Sequence, residues 1–183
     1  MRPGVFLERD GILNLPRVER GHQVTTLSLD DFRPNFAARA PLLALKKAGF
    51  ALLATTNQPG LARGYLMRRE LDRMHDLLLR QLPLDDVFVC PHDEADDCNC
   101  RKPQPGLFTE AAFKWHLDLE RSFVISDKWP DAQAANLVGA TSLLLQSPWI
   151  SNGHHDFVLA DLPSAVARIL QPHVAPLLLM DQV

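Results

Sequence analysis

The chain has 183 residues, 46% apolar and 22% charged, which suits a globular domain with a buried core. Nineteen Lys and Arg against 22 Asp and Glu give a formal charge of -3, so there is no basic footprint for DNA or RNA. Val5-Phe6-Leu7 is too short for the apolar region of a signal peptide, and no apolar run approaches the ~20 residues of a membrane helix. A cytoplasmic protein without membrane or nucleic-acid partners is expected.

Short apolar strands alternate with amphipathic helices along the chain. Gly4 to Leu7 is predicted as a first strand. Asn14 to Asp31 is long and irregular and is expected to form a cap or substrate loop, with Arg17 and Glu19 as candidates to touch a sugar hydroxyl. Leu42, Leu43 and Leu45 predict a helix over 36–48, stopped by Gly49. A strand over 50–55 follows, then a helix over 65–82 with Leu71, Met74, Leu78 and Leu82 at helical spacing. Strands are predicted at 87–89, 123–125, 142–145 and 157–159, and helices at 107–115, 131–137 and 164–170. The tail after Pro172 is expected to be loosely held. This alternation predicts an α/β fold, a Rossmann-like and mainly parallel sheet with helices on both faces. No linker divides the chain, so residues 1–183 are expected to form one domain, acting as a monomer.

Ligands of such a sheet sit at the C-terminal ends of its strands. Four segments rich in chemistry follow strands here, at 8–14, 56–64, 90–102 and 126–131, and a parallel sheet brings them to one edge. The three cysteines all lie in one loop, with Cys90, His92, Cys98 and Cys100 spaced C-x-H-x5-C-x-C. Three thiolates and one imidazole make the closed tetrahedral set of structural zinc sites, so Zn²⁺ is expected to clip the loop that ends in Arg101-Lys102. A closed set leaves no place for water, so this site is given no catalytic step.

Glu8 and Asp10 lie two residues apart at the first strand end and face the same way if the chain stays extended. Such a pair can bind a cation or divide nucleophile and acid/base duties. Thr56 and Asn57 bring hydroxyl and amide donors suited to phosphate oxygens, and Arg101 and Lys102 bring two cations. Asp127 and Asp131 stand at another strand end, and Arg63 is a candidate for a second phosphate. His75 and the His154-His155 pair have no partner ligands at useful spacing.

Together these segments resemble the haloacid-dehalogenase superfamily of magnesium-dependent phosphatases over about 5–140. The stretches Thr56-Asn57-Gln58, Gly60-Leu61-Ala62-Arg63-Gly64 and the clip running into Arg101-Lys102-Pro103 are similar to its zinc-containing branch. That branch includes heptose bisphosphate and histidinol-phosphate phosphatases. The resemblance implies no large cap domain and a small phosphorylated sugar as partner. It implies Glu8 as nucleophile, Asp10 as acid and then base, Thr56 and Lys102 on the transferring phosphate, and Asn57 and Arg101 on substrate. It implies Mg²⁺ on Glu8, the Asp10 carbonyl and Asp127, with Asp131 in support.

One departure stands out. The family's nucleophile is an Asp, and here it is Glu8, longer by one C–C bond of ~1.5 Å. Three readings follow: a working phosphatase on a heptose bisphosphate or histidinol phosphate, a silent relative that binds a phosphosugar, or an inert domain that keeps only its clip. Ser126 before Asp127 and Pro59 after Asn57-Gln58 are milder departures from the family's Gly and Ser.

Overall fold

The computed structural model describes residues 1–15, 17–148, 150, 153 and 155–171. The tail after Pro172 and His154 therefore lie outside the described residues.

Strand β1 (Arg2–Glu8) is followed by a hairpin of β2 (Arg17–Glu19) and β3 (His22–Val24), then α1 (Arg39–Lys47). Next come β4 (Ala51–Asn57), α2 (Arg68–Gln81), β5 (Asp86–Cys90) and α3 (Gly106–Trp115). The chain continues as β6 (Leu117–Ser126), α4 (Trp129–Leu137), β7 (Thr141–Leu145), β8 (Phe157–Leu159) and α5 (Leu162–Leu170). The main sheet has the order β5-β4-β1-β6-β7-β8, with every pair parallel. This is the Rossmann-like sheet expected from the alternation of elements.

Side-chain alternation along β1 divides the core. Val5 and Leu7 pack with Leu42 and Leu45 of α1, Leu71 and Met74 of α2, and Val166 and Ile169 of α5. Phe6 points the other way, toward Leu107 and Phe108 of α3 and Ala134 and Ala135 of α4. The Phe6 and Phe108 rings lie 4.9 Å apart. Strands buried on both faces have no polar face to show, which is why they read as unbroken apolar runs.

Most boundaries shift by one to three residues from the sequence expectation, and three differences change an element's makeup. Residues 36–38 form a separate 3-10 turn before α1, and α2 starts at Arg68, leaving Tyr65 exposed ahead of it. β6 begins at Leu117, because Leu117 and Asp118 pair with Arg2 and Pro3 before the register shifts. Its exposed Glu120 and Arg121 hid that first half from a pattern search for apolar runs. Among the described residues the irregular stretch after Asn14 holds the β2–β3 hairpin and a 3-10 turn at Leu29–Asp31, and no large cap.

The connections make β1 the topological switch. From β1 the chain moves outward through β4 to β5, then returns to β6 on the other side. A crevice forms where the order reverses, at the carboxyl ends of β1, β4 and β6.

Candidate active site

Parallel register sets the floor of the crevice. Glu8 pairs with Thr55 on β4, and Leu7 pairs with Ile125 on β6, so Glu8, Thr56 and Asp127 leave their strands at nearly one level. A cleft of about 230 Å³ opens there, lined by Glu8, Asp10, Asn57, Arg101, Lys102, Lys128 and Asp131. Val24 and Thr25 from the end of the hairpin form part of its wall.

Lys102 is the charge at the centre. Its side chain is 2% exposed, and its ammonium pairs with Glu8, lies 2.5 Å from Asp131 Oδ1, and donates to the Thr55 carbonyl at 3.2 Å. Asn57 fixes its backbone on both sides: Asn57 Nδ2 donates to the Lys102 carbonyl at 3.0 Å, and Lys102 N–H donates to Asn57 Oδ1 at 3.1 Å. Two carboxylates thus share one ammonium. Burial opposes the charge on Glu8, but Lys102 and Lys128 outweigh it and hold the Glu8 carboxyl below its ordinary range. Asp131 is left as the second claimant, and burial pushes it up to about 6 despite Lys102.

Asp10 is held from behind by Arg9, whose side chain is fully buried. Arg9 Nε and one terminal nitrogen grip the two Asp10 oxygens at 3.0 and 2.8 Å. Asn14 Nδ2 donates to Asp10 Oδ1 at 3.2 Å and Gln58 Nε2 to Oδ2 at 3.0 Å. Burial works against its charge, yet Arg9, then Lys128 and the Asn14 hydrogen bond, hold the Asp10 carboxyl below the usual carboxylate range. The other terminal nitrogen of Arg9 lies 3.2 Å from His75 Nε2, which must therefore accept.

Burial, and then the Arg9 charge, bring His75 down from 6.5 to about 3. The folded protein keeps it neutral while the unfolded chain takes up a proton. Its contribution to stability is full above pH 6.5 and is lost as the pH falls toward 3. In His75→Leu, urea denaturation between pH 6.5 and 4 should show a slope shallower by about one proton.

Around Asp127 the donors are all oxygens. Asp127 Oδ1 is buried without a hydrogen-bond partner, and its ion-pair distance to Lys128 Nζ is 3.8 Å. Lys128 Nζ donates to the Asp10 carbonyl at 2.9 Å. Burial raises the Asp127 carboxyl, opposed by Lys128 and reinforced by Glu8. An orphaned buried carboxylate oxygen is a donor that fits a hard divalent cation such as Mg²⁺, and the Asp10 carbonyl and the Glu8 carboxylate are the oxygens that could join it. Gly11 permits this closeness: its φ is +101°, and a Cβ there would stand 2.5 Å from the Asp127 carboxylate.

The sulfur cluster stands beside the cleft. Cys90 Sγ lies 3.7 Å from both Cys98 Sγ and His92 Nδ1, Cys100 Sγ lies 3.6 Å from Cys98 Sγ, and His92 Nδ1 lies 3.2 Å from Cys100 Sγ. A tetrahedron with Zn–S bonds of ~2.3 Å has sulfur–sulfur edges of ~3.8 Å, so the four ligands fit a zinc site. Without a cation, burial and the neighbouring thiols push Cys90 and Cys100 up. Bound metal removes that conflict by stabilising the thiolates.

The structure brings Glu8, Asp10, Asn57, Arg101, Lys102 and Asp131 to one cleft. Thr56 lies below it, fully buried, its Oγ1 accepting from Gln58 Nε2 at 2.9 Å. Asp127 faces a neighbouring cavity with Gly11 and Ser147. Arg101 is partly spent on the clip, donating to the His92 carbonyl at 3.4 Å and to Glu94 at 3.0 Å. Arg63 forks onto Asp93 at 2.6 and 2.5 Å, and Arg17 pairs with Glu19 and Asp31, so Arg63, Arg17 and Glu19 do not line the cleft. The sequence pattern passed over Arg9, Gln58 and Lys128. Arg9 and Lys128 each stand next to a singled-out aspartate, and that adjacency was the available signal.

A family model described as HAD-hydrolase-like matches residues 99–165. The D-glycero-beta-D-manno-heptose-1,7-bisphosphate 7-phosphatase of Photorhabdus laumondii is 34% identical over 91% of this chain and 96% of its own length. The enzyme of the same name from Escherichia coli O6:H1 is 31% identical over 93% of this chain and 97% of its own. The crystal structure of D,D-heptose 1,7-bisphosphate phosphatase from B. bronchiseptica, complexed with magnesium and phosphate, superposes with a TM-score of 0.73 at 28% identity, covering 93% of this chain and 99% of that one. With the sheet, the cleft and the sulfur cluster, these likenesses show that the chain belongs to the haloacid-dehalogenase-like phosphatases, a family of hydrolases, in the branch of the heptose 1,7-bisphosphate phosphatases.

Proposed function

We propose that this protein is a cytoplasmic, Mg²⁺-dependent phosphatase of a small phosphorylated sugar, taking heptose 1,7-bisphosphate at its 7-phosphate first and histidinol phosphate second. One observation supports this most: a buried ammonium, Lys102, stands between two carboxylates at the mouth of a cleft that also holds Asp10 and Arg101. That arrangement offsets phosphate charge while keeping a nucleophile and a proton carrier close by.

Glu8 attacks phosphorus, the bond to the sugar oxygen breaks, and that oxygen takes the Asp10 proton. Asp10 then removes a proton from the water that attacks the phosphorylated carboxylate, which frees phosphate and restores Glu8. Arg9 favours the ionised form of Asp10, and an arriving phosphate dianion shifts it toward the protonated form. Lys102 and Thr56 steady the transferring group, Asn57 and Arg101 meet the substrate, and Asp131 keeps Lys102 charged and in place. Glu8, the Asp10 carbonyl and Asp127 would hold Mg²⁺, which would supply charge stabilisation to the transferring phosphoryl group. Cys90, His92, Cys98 and Cys100 would hold Zn²⁺, which would fix the loop that carries Arg101 and Lys102.

Two predictions follow from the cations. Lys128 donates to the carbonyl assigned to Mg²⁺, so Lys128→Gln should tighten Mg²⁺ binding about tenfold or more by calorimetry, an ion at ~4 Å being worth several kcal/mol at a surface-like dielectric. Stripping zinc with a strong chelator should cost ~3 kcal/mol or more, and so lower the thermal midpoint by about 10 °C for a chain of this size. Elemental analysis should find one zinc per chain before treatment.

Phosphorus NMR of the product from heptose 1,7-bisphosphate tests the substrate. Loss of the 7-phosphate signal with the 1-phosphate retained is expected. Attack on the 1-phosphate, or a preference for histidinol phosphate, would replace the first candidate.

A further inference from the structure

Glu8 does not wait in the cleft with a free carboxylate. Its Oε1 accepts from the backbone N–H of Asp10 at 3.3 Å and from that of Arg9 at 3.1 Å, which the Thr55 carbonyl shares at 3.3 Å. Its Oε2 is paired with the Lys102 ammonium. Two successive backbone N–H groups beside a buried ammonium form an anion-binding concavity. The same three donors would suit the oxygens of a phosphoryl group, and here a side chain of the protein already fills them. The extra methylene makes this possible: one carboxylate oxygen covers both N–H groups while the other reaches Lys102. An aspartate at this position reaches less far, by ~1.5 Å.

We propose that in the ligand-free protein Glu8 occupies the phosphoryl cradle as an internal anion, so that a phosphate ester must displace this carboxylate before it can bind. The inference rests on the phosphatase reading of the cleft given above. It makes Glu8 an autoinhibitory contact as well as the candidate nucleophile. Opening it requires the carboxylate to leave three charge-assisted or backbone donors, and a phosphate dianion with its metal supplies replacements for the same groups.

Calorimetric titration of inorganic phosphate, with Mg²⁺ present, tests this on the native protein, Glu8→Asp and Glu8→Gln. Glu8→Asp keeps the charge and shortens the reach, and it should bind phosphate at least tenfold more tightly than the native chain. Glu8→Gln keeps the reach and drops the charge, so it reports plain repulsion. Tighter binding in Glu8→Gln with Glu8→Asp equal to native would overturn the plug and leave repulsion as the cause. Equal binding in all three would overturn it too, while the phosphate site itself stands. No binding in any of them would remove the phosphate reading of the cleft together with the inference. Amide NMR gives a second view in the native protein: Arg9 and Asp10 N–H signals should stay near their starting positions at phosphate concentrations that saturate Glu8→Asp.

Discussion

Glu8→Asp is expected to raise phosphate release about 100-fold over the native protein. A misplacement near 1 Å between reacting atoms costs about 100-fold, or roughly 2.7 kcal/mol of barrier. The native carboxylate is one methylene longer than the family's aspartate, and both its oxygens are engaged, by Arg9 N–H, Asp10 N–H and Lys102. Shortening it restores the spacing and frees the donors. Both kcat and KM should improve, kcat through alignment and KM through an open cradle. Steady-state assays at saturating Mg²⁺ separate the two. A variant slower than the native protein would mean that the site around Glu8 has been refitted to the longer side chain.

Lys102→Met is expected to abolish turnover and to cost about 3–5 kcal/mol of folding stability at pH 8. Breaking a buried ion pair by removing one partner strands the charge on the other, and here two are stranded, Glu8 and Asp131. The pH dependence gives the signature. Without the ammonium both carboxyls titrate above their unfolded values, so the penalty is present at high pH and shrinks as the pH falls and they protonate. In the native protein Glu8 behaves the opposite way: it is held low, and its contribution is lost on acidification through its folded value. Urea melts of the variant at pH 5 and pH 8 should differ by more than those of the native chain. Adding Asp131→Asn to Lys102→Met should recover part of the loss, since one stranded charge is then gone.

Much of this architecture was legible in the chain because period and spacing carry it. Parallel strands buried on two faces read as short apolar runs, and β1, β4 and β7 were found that way. The cluster of Cys90, His92, Cys98 and Cys100 was legible for a different reason: soft ligands at close spacing are rare by chance. Partnerships were harder to read. Arg9 is the first residue past β1, in the turn that follows Glu8. The turn at Gly11 folds Asp10 back, and Arg9 then meets Asp10 from beneath and reaches His75 on α2, 66 residues away. Nothing local to Arg9 encodes that meeting.

Asn57 shows the same limit. Its amide suits a ligand, but in the fold both ends tie down the Lys102 backbone. Its closest duty is to position the lysine. Arg63 was plausible for a second phosphate until the clip supplied Asp93 as a bidentate partner. Residue type set the chemistry each side chain can do, and long-range packing set which one meets the ligand.

The most direct test of the account is Mg²⁺-dependent phosphate release from heptose 1,7-bisphosphate by Glu8→Asp, beside the same variant carrying Asp10→Asn. The account predicts turnover that EDTA abolishes and that Asp10→Asn reduces by a hundredfold or more, in line with loss of general acid–base catalysis. Release that survives both EDTA and Asp10→Asn, or no release from any sugar phosphate, would contradict it.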